Sequence, residues 1–194
     1  MPKRVDHQQR RREIAAALVR CARARGLHAV GFREVAAEAG ISVNLVQYYF
    51  SSKAELLAGG LAHLRERMGE RLRDRLAGLP EPEDAAARVR AIVRELLPSD
   101  DTSTDLYTVH AAYAALALTD PGLAAQPHTA GPDELQPQLA ALLARAAPGC
   151  DPEQTAVALL ALGTGLAAYL ATGYLTVEAA TAALDAQLDR VLAR

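Results

Sequence analysis

The feature that most constrains this chain is an interruption of helical periodicity between residues 32 and 50, FREVAAEAGISVNLVQYYF. Phe32, Val35, Ala36 and Ala39 recur at i, i+3, i+4 and i+7, which makes one helix face apolar and leaves Arg33, Glu34 and Glu38 on the wet side. Gly40 stops that helix, because glycine enters the left-handed conformation at little cost. Ser42 is a good N-cap for a second helix. Two short helices joined by so tight a turn form a helix-turn-helix. At about 100° of rotation per residue, Asn44, Gln47 and Tyr48 share the outer face of the second helix, and Val46 and Phe50 point away. Amide side chains pair with N6 and N7 of adenine in the major groove, and a phenol reaches phosphates, so this face has the chemistry of a DNA reader. An ordinary solvated helix face is equally polar; the turn in front of it favours the DNA reading.

The residues around the turn resemble the TetR (tetracycline repressor) family of bacterial transcription regulators. The resemblance is carried by Gly26, Arg33, Val35, Ala36, Ala39, Gly40, Ile41, Ser42, Tyr48, Tyr49, Phe50, Ser52, Lys53 and Leu56, and it covers about a quarter of the chain with residue types and spacing in agreement. It implies DNA contacts from Arg11, Arg33, Ser42, Val43, Asn44, Gln47, Tyr48, Tyr49 and Lys53, the last at a phosphate. Two departures stand out. Gly31 replaces the Thr or Ser that often caps the second helix, which removes a hydroxyl, and Gln47 replaces a frequent Tyr, so base preference does not transfer from relatives.

Composition agrees with an all-α fold. Of 194 residues 51% are hydrophobic, alanine abounds and tryptophan is absent, so helix propensity is favourable nearly everywhere. The expected organisation is a three-helix DNA-binding head over residues 1–54 and a larger helical regulatory body over 55–194, about nine helices in all. The net charge of −2 conceals an asymmetry: residues 1–75 hold 15 Lys and Arg against 8 Asp and Glu, whereas residues 76–194 hold 6 against 15. A basic head on an acidic body suits a protein that presents one end to a polyanion. Cys21 and Cys150 lie in separate segments without metal-ligand spacing, so we expect no metal site and a reducing, cytoplasmic location. The polar start MPKRVDHQQRRR contains no secretory signal core. The apolar run Ala156–Ala171, interrupted by Gly163, Thr164 and Gly165, reads as falling short of the roughly 20 residues that cross a bilayer.

Along the chain, Lys3, Arg4, Arg10, Arg11 and Arg12 form a basic arm leading into the Ile14, Ala17, Leu18, Cys21 stripe of the first helix. Ser52 and Glu55 make a capping box that opens a fourth helix, whose leucine stripe from Leu57 to Leu79 predicts a rod of about 40 Å with Gly59-Gly60 as a bend or close-packing point. Further helices are expected at 83–97, 104–118, 139–147, 153–174 and 177–193, with a mobile loop or ligand gate from Ala124 to Pro137. Tyr107, His110, Tyr113 and Tyr169 are the candidate lining of a small-molecule pocket, since aromatic walls with polar tips suit one. Core packing is the competing role for these residues. By resemblance, the last two helices meet their copies in a four-helix bundle, with Gly165, Leu166, Tyr169, Leu184, Leu188 and Val191 as candidate dimer contacts.

The sequence therefore points to a non-enzymatic, ligand-responsive transcriptional regulator, expected to be a repressor. A homodimer would bind a palindromic DNA operator and be released by a small-molecule effector, with no bound cofactor otherwise and no membrane partner. The alternative is a helical small-molecule-binding protein or enzyme whose head is only an interaction module. The sequence offers that alternative little: no nucleophile elbow, no phosphate-cradling glycine loop, and five scattered histidines.

Overall fold

The computed structural model describes residues 7–81, 83–124 and 130–193, with side chains described at 7–81, 83–122 and 135–193. Among these residues there are ten α-helices, a short 3-10 turn and no strand. They are α1 (His7–Arg25), α2 (Phe32–Ala39), α3 (Val43–Tyr49), α4 (Lys53–Ala77), α5 (Ala85–Glu95), α6 (Asp101–Ala117), the four-residue α7 (Pro121–Ala124), α8 (Ala130–Ala146), α9 (Pro152–Ala171) and α10 (Val177–Leu192). The all-α expectation holds. The chain forms two compact units, Met1–Arg67 with Thr108–His128 and Met68–Tyr107 with Thr129–Arg194. Lys3 and Arg4 of the basic arm lie outside the described residues.

In the first unit α1 buries Ile14, Ala17, Leu18 and Cys21, the stripe expected from periodicity, and packs against α2, which in turn packs against α3. Gly59 and Gly60 are close-packing points. A Cβ built on Gly59 would lie 2.5 Å from the Phe50 ring, and one on Gly60 would lie 2.5 Å from both Leu18 and the Tyr113 hydroxyl. Tyr113 is 1% exposed, and its hydroxyl has no hydrogen-bond partner among the described residues. Burial alone pushes its pKa upward. An unpaired hydroxyl in an apolar site costs about 1–3 kcal/mol. Tyr113→Phe should accordingly raise stability by about 1 kcal/mol, read as a higher urea midpoint at constant slope; a lower midpoint would show that the hydroxyl has a stabilising partner.

In the second unit α9 packs against α5, α8 and α10, and α5 packs against α8 and α10. Val89, Ile92, Leu139, Leu143, Leu184 and Leu188 are at most 2% exposed in that core. Gly163 lets α9 approach Leu96 of the α5 end, since a Cβ there would meet its side chain at 2.5 Å. Arg94 grips Asp185 with two nitrogens at 2.8 and 2.7 Å, and Arg90 meets Asp189 at 2.6 Å, so α10 is tied along α5 one turn at a time.

Several boundaries differ from expectation. The candidate gate Ala124–Pro137 is not one loop. Residues 125–129 lie outside the described set, but Ala130 already begins α8, and Pro137 sits inside that helix. The apolar residues Leu139, Ala140 and Leu143, all buried, hold α8 in the core and outweigh the missing N–H of one proline. α6 starts at Asp101 rather than Thr104, because Asp100 accepts from Ser103 N at 2.7 Å while Ser103 Oγ accepts from the backbone of Ser99 and Asp100, each at 3.0 Å. α9 is 20 residues long and contains an 18-residue window of mean hydropathy 1.5, so by length and composition alone it is long and apolar enough to cross a membrane, contrary to the expected length, while in the fold it packs against α5, α8 and α10. Its glycines and Thr164 do not interrupt it; the Thr164 hydroxyl simply donates back to Leu160 O at 2.9 Å.

Candidate nucleic-acid interface

The interface is built around the turn between α2 and α3. Gly40 has φ +66°, and both bonds of a Schellman closure are present: Gly40 N donates to Ala37 O at 3.2 Å and Ile41 N to Ala36 O at 3.0 Å. Ser42 then caps α3, its hydroxyl accepting from Leu45 N at 3.2 Å. The cap uses one lone pair of that oxygen and leaves its O–H on the exposed side chain able to donate to a phosphate. α3 rests on Val46, which is fully buried, and presents Asn44, Gln47 and Tyr48 outward, Tyr48 at 69% exposure. Val43 is half-buried beside them. Arg33 on α2 and Lys53 in the first turn of α4 are both exposed.

Two expected contacts sit elsewhere. Tyr49 is only 8% exposed: a seven-residue helix with an apolar face needs a second anchor besides Val46, and Tyr49 supplies it. Its ring meets Tyr48 edge-on at 5.2 Å and His7 of α1 at 5.4 Å, so it supports the reading face. His7, which sequence patterning did not single out, thus flanks the candidate interface, with its ring 6.1 Å from Tyr48. Arg11, expected to contact DNA, stays exposed, with 44% of its side chain accessible, and is already paired within the head. Its guanidinium donates to the Tyr49 carbonyl and to Glu55 at 3.0 Å, and lies 4.4 Å over the Phe50 ring.

The capping box at the start of α4 forms by half. Glu55 N donates to Ser52 Oγ at 3.1 Å, but the Glu55 carboxylate accepts from the backbone N and the hydroxyl of Ser51, both at 2.8 Å, instead of reaching back to Ser52 N. The Ser51 backbone bond, its hydroxyl and then Arg11 hold the Glu55 carboxyl at about 2. A carboxylate with a lowered pKa contributes stability above its ordinary value, near 4.5, and loses it as pH falls through about 2. The contact therefore survives mild acid.

The four candidate pocket residues divide between the two units, Tyr107 and Tyr169 in the second and His110 and Tyr113 in the first. Tyr107, half-buried, lines a cavity of about 40 Å³ in the second unit with Met68, Arg71, Glu95 and Ser103 among others; this space suits water rather than an organic ligand. Arg71 bridges Glu95 at 3.0 Å and Asp100 at 2.8 Å at its edge. Tyr113 is a core residue of the first unit, and His110 is half-buried and does not line that cavity. Tyr169 lies on the surface at 51% exposure, paired with Tyr174 at 5.0 Å. Among the described residues no cluster of three or more His, Cys, Asp or Glu side chains is placed to hold a metal ion.

The candidate dimer contacts divide. Leu184 and Leu188 are fully buried, and Leu166 and Val191 are 7% and 9% exposed, so the chain's own core already covers them. Gly165 and Tyr169 are exposed, and they belong to a continuous apolar strip of α9 with Val157, Ala158, Ala161 and Ala168. α10 adds a matching strip of exposed alanines, at 179, 182, 183 and 186. The leucine period of α10 marked its inner face; the exposed strip at 179, 182, 183 and 186 is alanine throughout, which gives no such signal.

Head geometry of this kind defines a helix-turn-helix DNA-binding regulator. Residues 14–59 match the profile of bacterial regulatory proteins of the tetR family, and residues 85–193 match that of the BetI-type transcriptional repressor C-terminal region. The chain belongs to the TetR family of transcriptional regulators. It is 32% identical over 117 residues to the regulator PksA of Bacillus subtilis, a match that spans 60% of this chain and 56% of that one. With BetI of Burkholderia cenocepacia it shares 29% identity over 196 residues, covering 100% of this chain and 99% of the relative. A transcriptional regulator from Rhodococcus sp. Rha1 superimposes with a TM-score of 0.80 at 32% identity, over 94% of this chain and 96% of that one. A Saccharomonospora viridis protein solved in complex with choline has the same fold, with a TM-score of 0.77 at 22% identity over 94% and 95% of the two chains.

Proposed function

We propose that this regulator is a cytoplasmic repressor that binds a palindromic operator as a homodimer and leaves it when a small molecule occupies the body. The observation that carries the reading is the exposed hydrogen-bonding face of Asn44, Gln47 and Tyr48 on a helix capped at both ends of its turn. Arg33 and Lys53, both exposed, supply cationic groups for phosphates beside it. Two half-sites about one helical turn (~34 Å) apart require two heads. The exposed apolar strips of α9 and α10 support a second copy as the partner, because alanine and glycine allow helices of a four-helix bundle to approach closely. Ala168→Arg should then convert a dimer to a monomer in light scattering with the fold intact; an unchanged mass would place the interface elsewhere.

That a protein of this fold, from Saccharomonospora viridis, was solved in complex with choline supports a small-molecule ligand for this one. An effector releases DNA only by preferring one conformation over another, however tightly it binds. α4 gives such a preference a covalent route, since it begins at Lys53 in the first unit and ends at Ala77 in the second. The direct test is selection of duplexes from a random library. An inverted repeat whose affinity falls steeply with salt is the expected product. Recovery of no duplex sequence would sink the reading.

A further inference from the structure

We infer that Arg11 and Glu55 form a clamp that sets the pose of the recognition helix α3, which makes Arg11 a positioning residue for DNA selectivity rather than a phosphate contact. The inference rests on the DNA-binding reading above and adds to it two residues that lie outside α3.

One guanidinium serves three elements. It donates to the carbonyl of Tyr49, the last residue of α3; it donates to Glu55 of α4 at 3.0 Å; and it covers the Phe50 ring between them at 4.4 Å. The last carbonyls of a helix have no partner within it, so Arg11 satisfies an end that α3 cannot close itself. Glu55 continues the chain of contacts to the backbone and hydroxyl of Ser51. Phe50 is 1% exposed and seated against Gly59, so the platform beneath the guanidinium is rigid. α3 has seven residues and only two buried side chains, Val46 and Tyr49. Gln47 and Tyr48 sit in its last turn, next to the clamped carbonyl, and their aim depends on that turn being held.

Charge and geometry predict opposite signs, which makes the clamp testable. Removing the Glu55 charge beside a polyanion should, by Coulomb attraction alone, strengthen DNA binding. Loss of the clamp should weaken it. The probes are a 30-bp duplex selected by the wild type and a scrambled duplex of the same composition, titrated over a range of salt, with circular dichroism confirming the fold of each variant. Glu55→Gln, Arg11→Ala and Arg11→Lys are each expected to bind the selected duplex about tenfold more weakly, the cost of roughly one lost base contact. Discrimination between the selected and the scrambled duplex should fall about tenfold in all three, and in the charge-conserving Arg11→Lys the affinity for the scrambled duplex and the slope of log K against log salt should not change. Arg11→Lys keeps the charge but lacks the fork that reaches both acceptors. Tighter or equal binding of the selected duplex by Glu55→Gln overturns the inference. So does an equal loss on both duplexes, whether the salt slope falls by about 0.9, as for a phosphate contact, or stays constant, as for a loss of folded protein. A wild type that selects no duplex overturns the DNA-binding reading, and the clamp with it.

Discussion

Replacing Gln47 and Tyr48 together by alanine is expected to abolish selective DNA binding while leaving the melting temperature where it was. Both side chains project from the outer face of α3, and Tyr48 is 69% exposed, so the head loses only the edge contacts of that ring with Tyr49 and His7. Surface truncations of this kind change stability by no more than about 0.5 kcal/mol. The Gln47 amide paired with a base edge contributes about 1–3 kcal/mol of discrimination, so its loss alone costs from about fivefold to about 150-fold on a selected duplex, and the lost Tyr48 phenol adds to that. Residual binding should resemble that to scrambled DNA, because Lys53 and Arg33 still meet phosphates without reading sequence. A double variant that keeps wild-type discrimination would move the reading face off α3.

The second large effect concerns two glycines of the same helix. Gly60→Val should destabilise the protein by about 2–3 kcal/mol, since even a Cβ there would come within 2.5 Å of Leu18 and of the Tyr113 hydroxyl, and buried overpacking forces neighbours out of their rotamers. Gly69→Ala should do the reverse. Nothing lies within 4 Å of a Cβ at that position, so alanine brings only its better helix propensity, about 0.5–1 kcal/mol. Denaturant midpoints of the two variants should therefore move in opposite directions. If both rise, the packing around Gly60 is looser than its geometry.

Where the sequence carried its own stop and start signals, the fold could be read from it. Gly40, Ser42 and the apolar period of α2 fixed the turn, because each is a local preference that packing reinforces. Pro137 misled, since a proline that reads as a loop is held in helix by the buried leucines beyond it. The site was legible in part. Asn44, Gln47 and Tyr48 follow from rotation about a helix axis, but Tyr49, one position further, is turned into the core by the need to anchor a short helix. Arg11 looked like a free cation in a basic arm; its partners lie 38 and 44 residues away, a distance that periodicity cannot bridge. The exposed alanines of α10 escaped for the opposite reason, as exposed alanine resembles buried alanine in any sequence pattern.

Lysine is nearly absent from this chain: positions 3 and 53 hold all of it, and the other 19 basic side chains are arginine. Lys53 stands exposed at the start of α4, beside the reading face. The protein thus carries an intrinsic reporter at its business end. An amine-directed label has only two lysine side chains to find, and on the proposed binding mode DNA should protect Lys53, so loss of label from the peptide that carries it would report occupancy without any engineered tag.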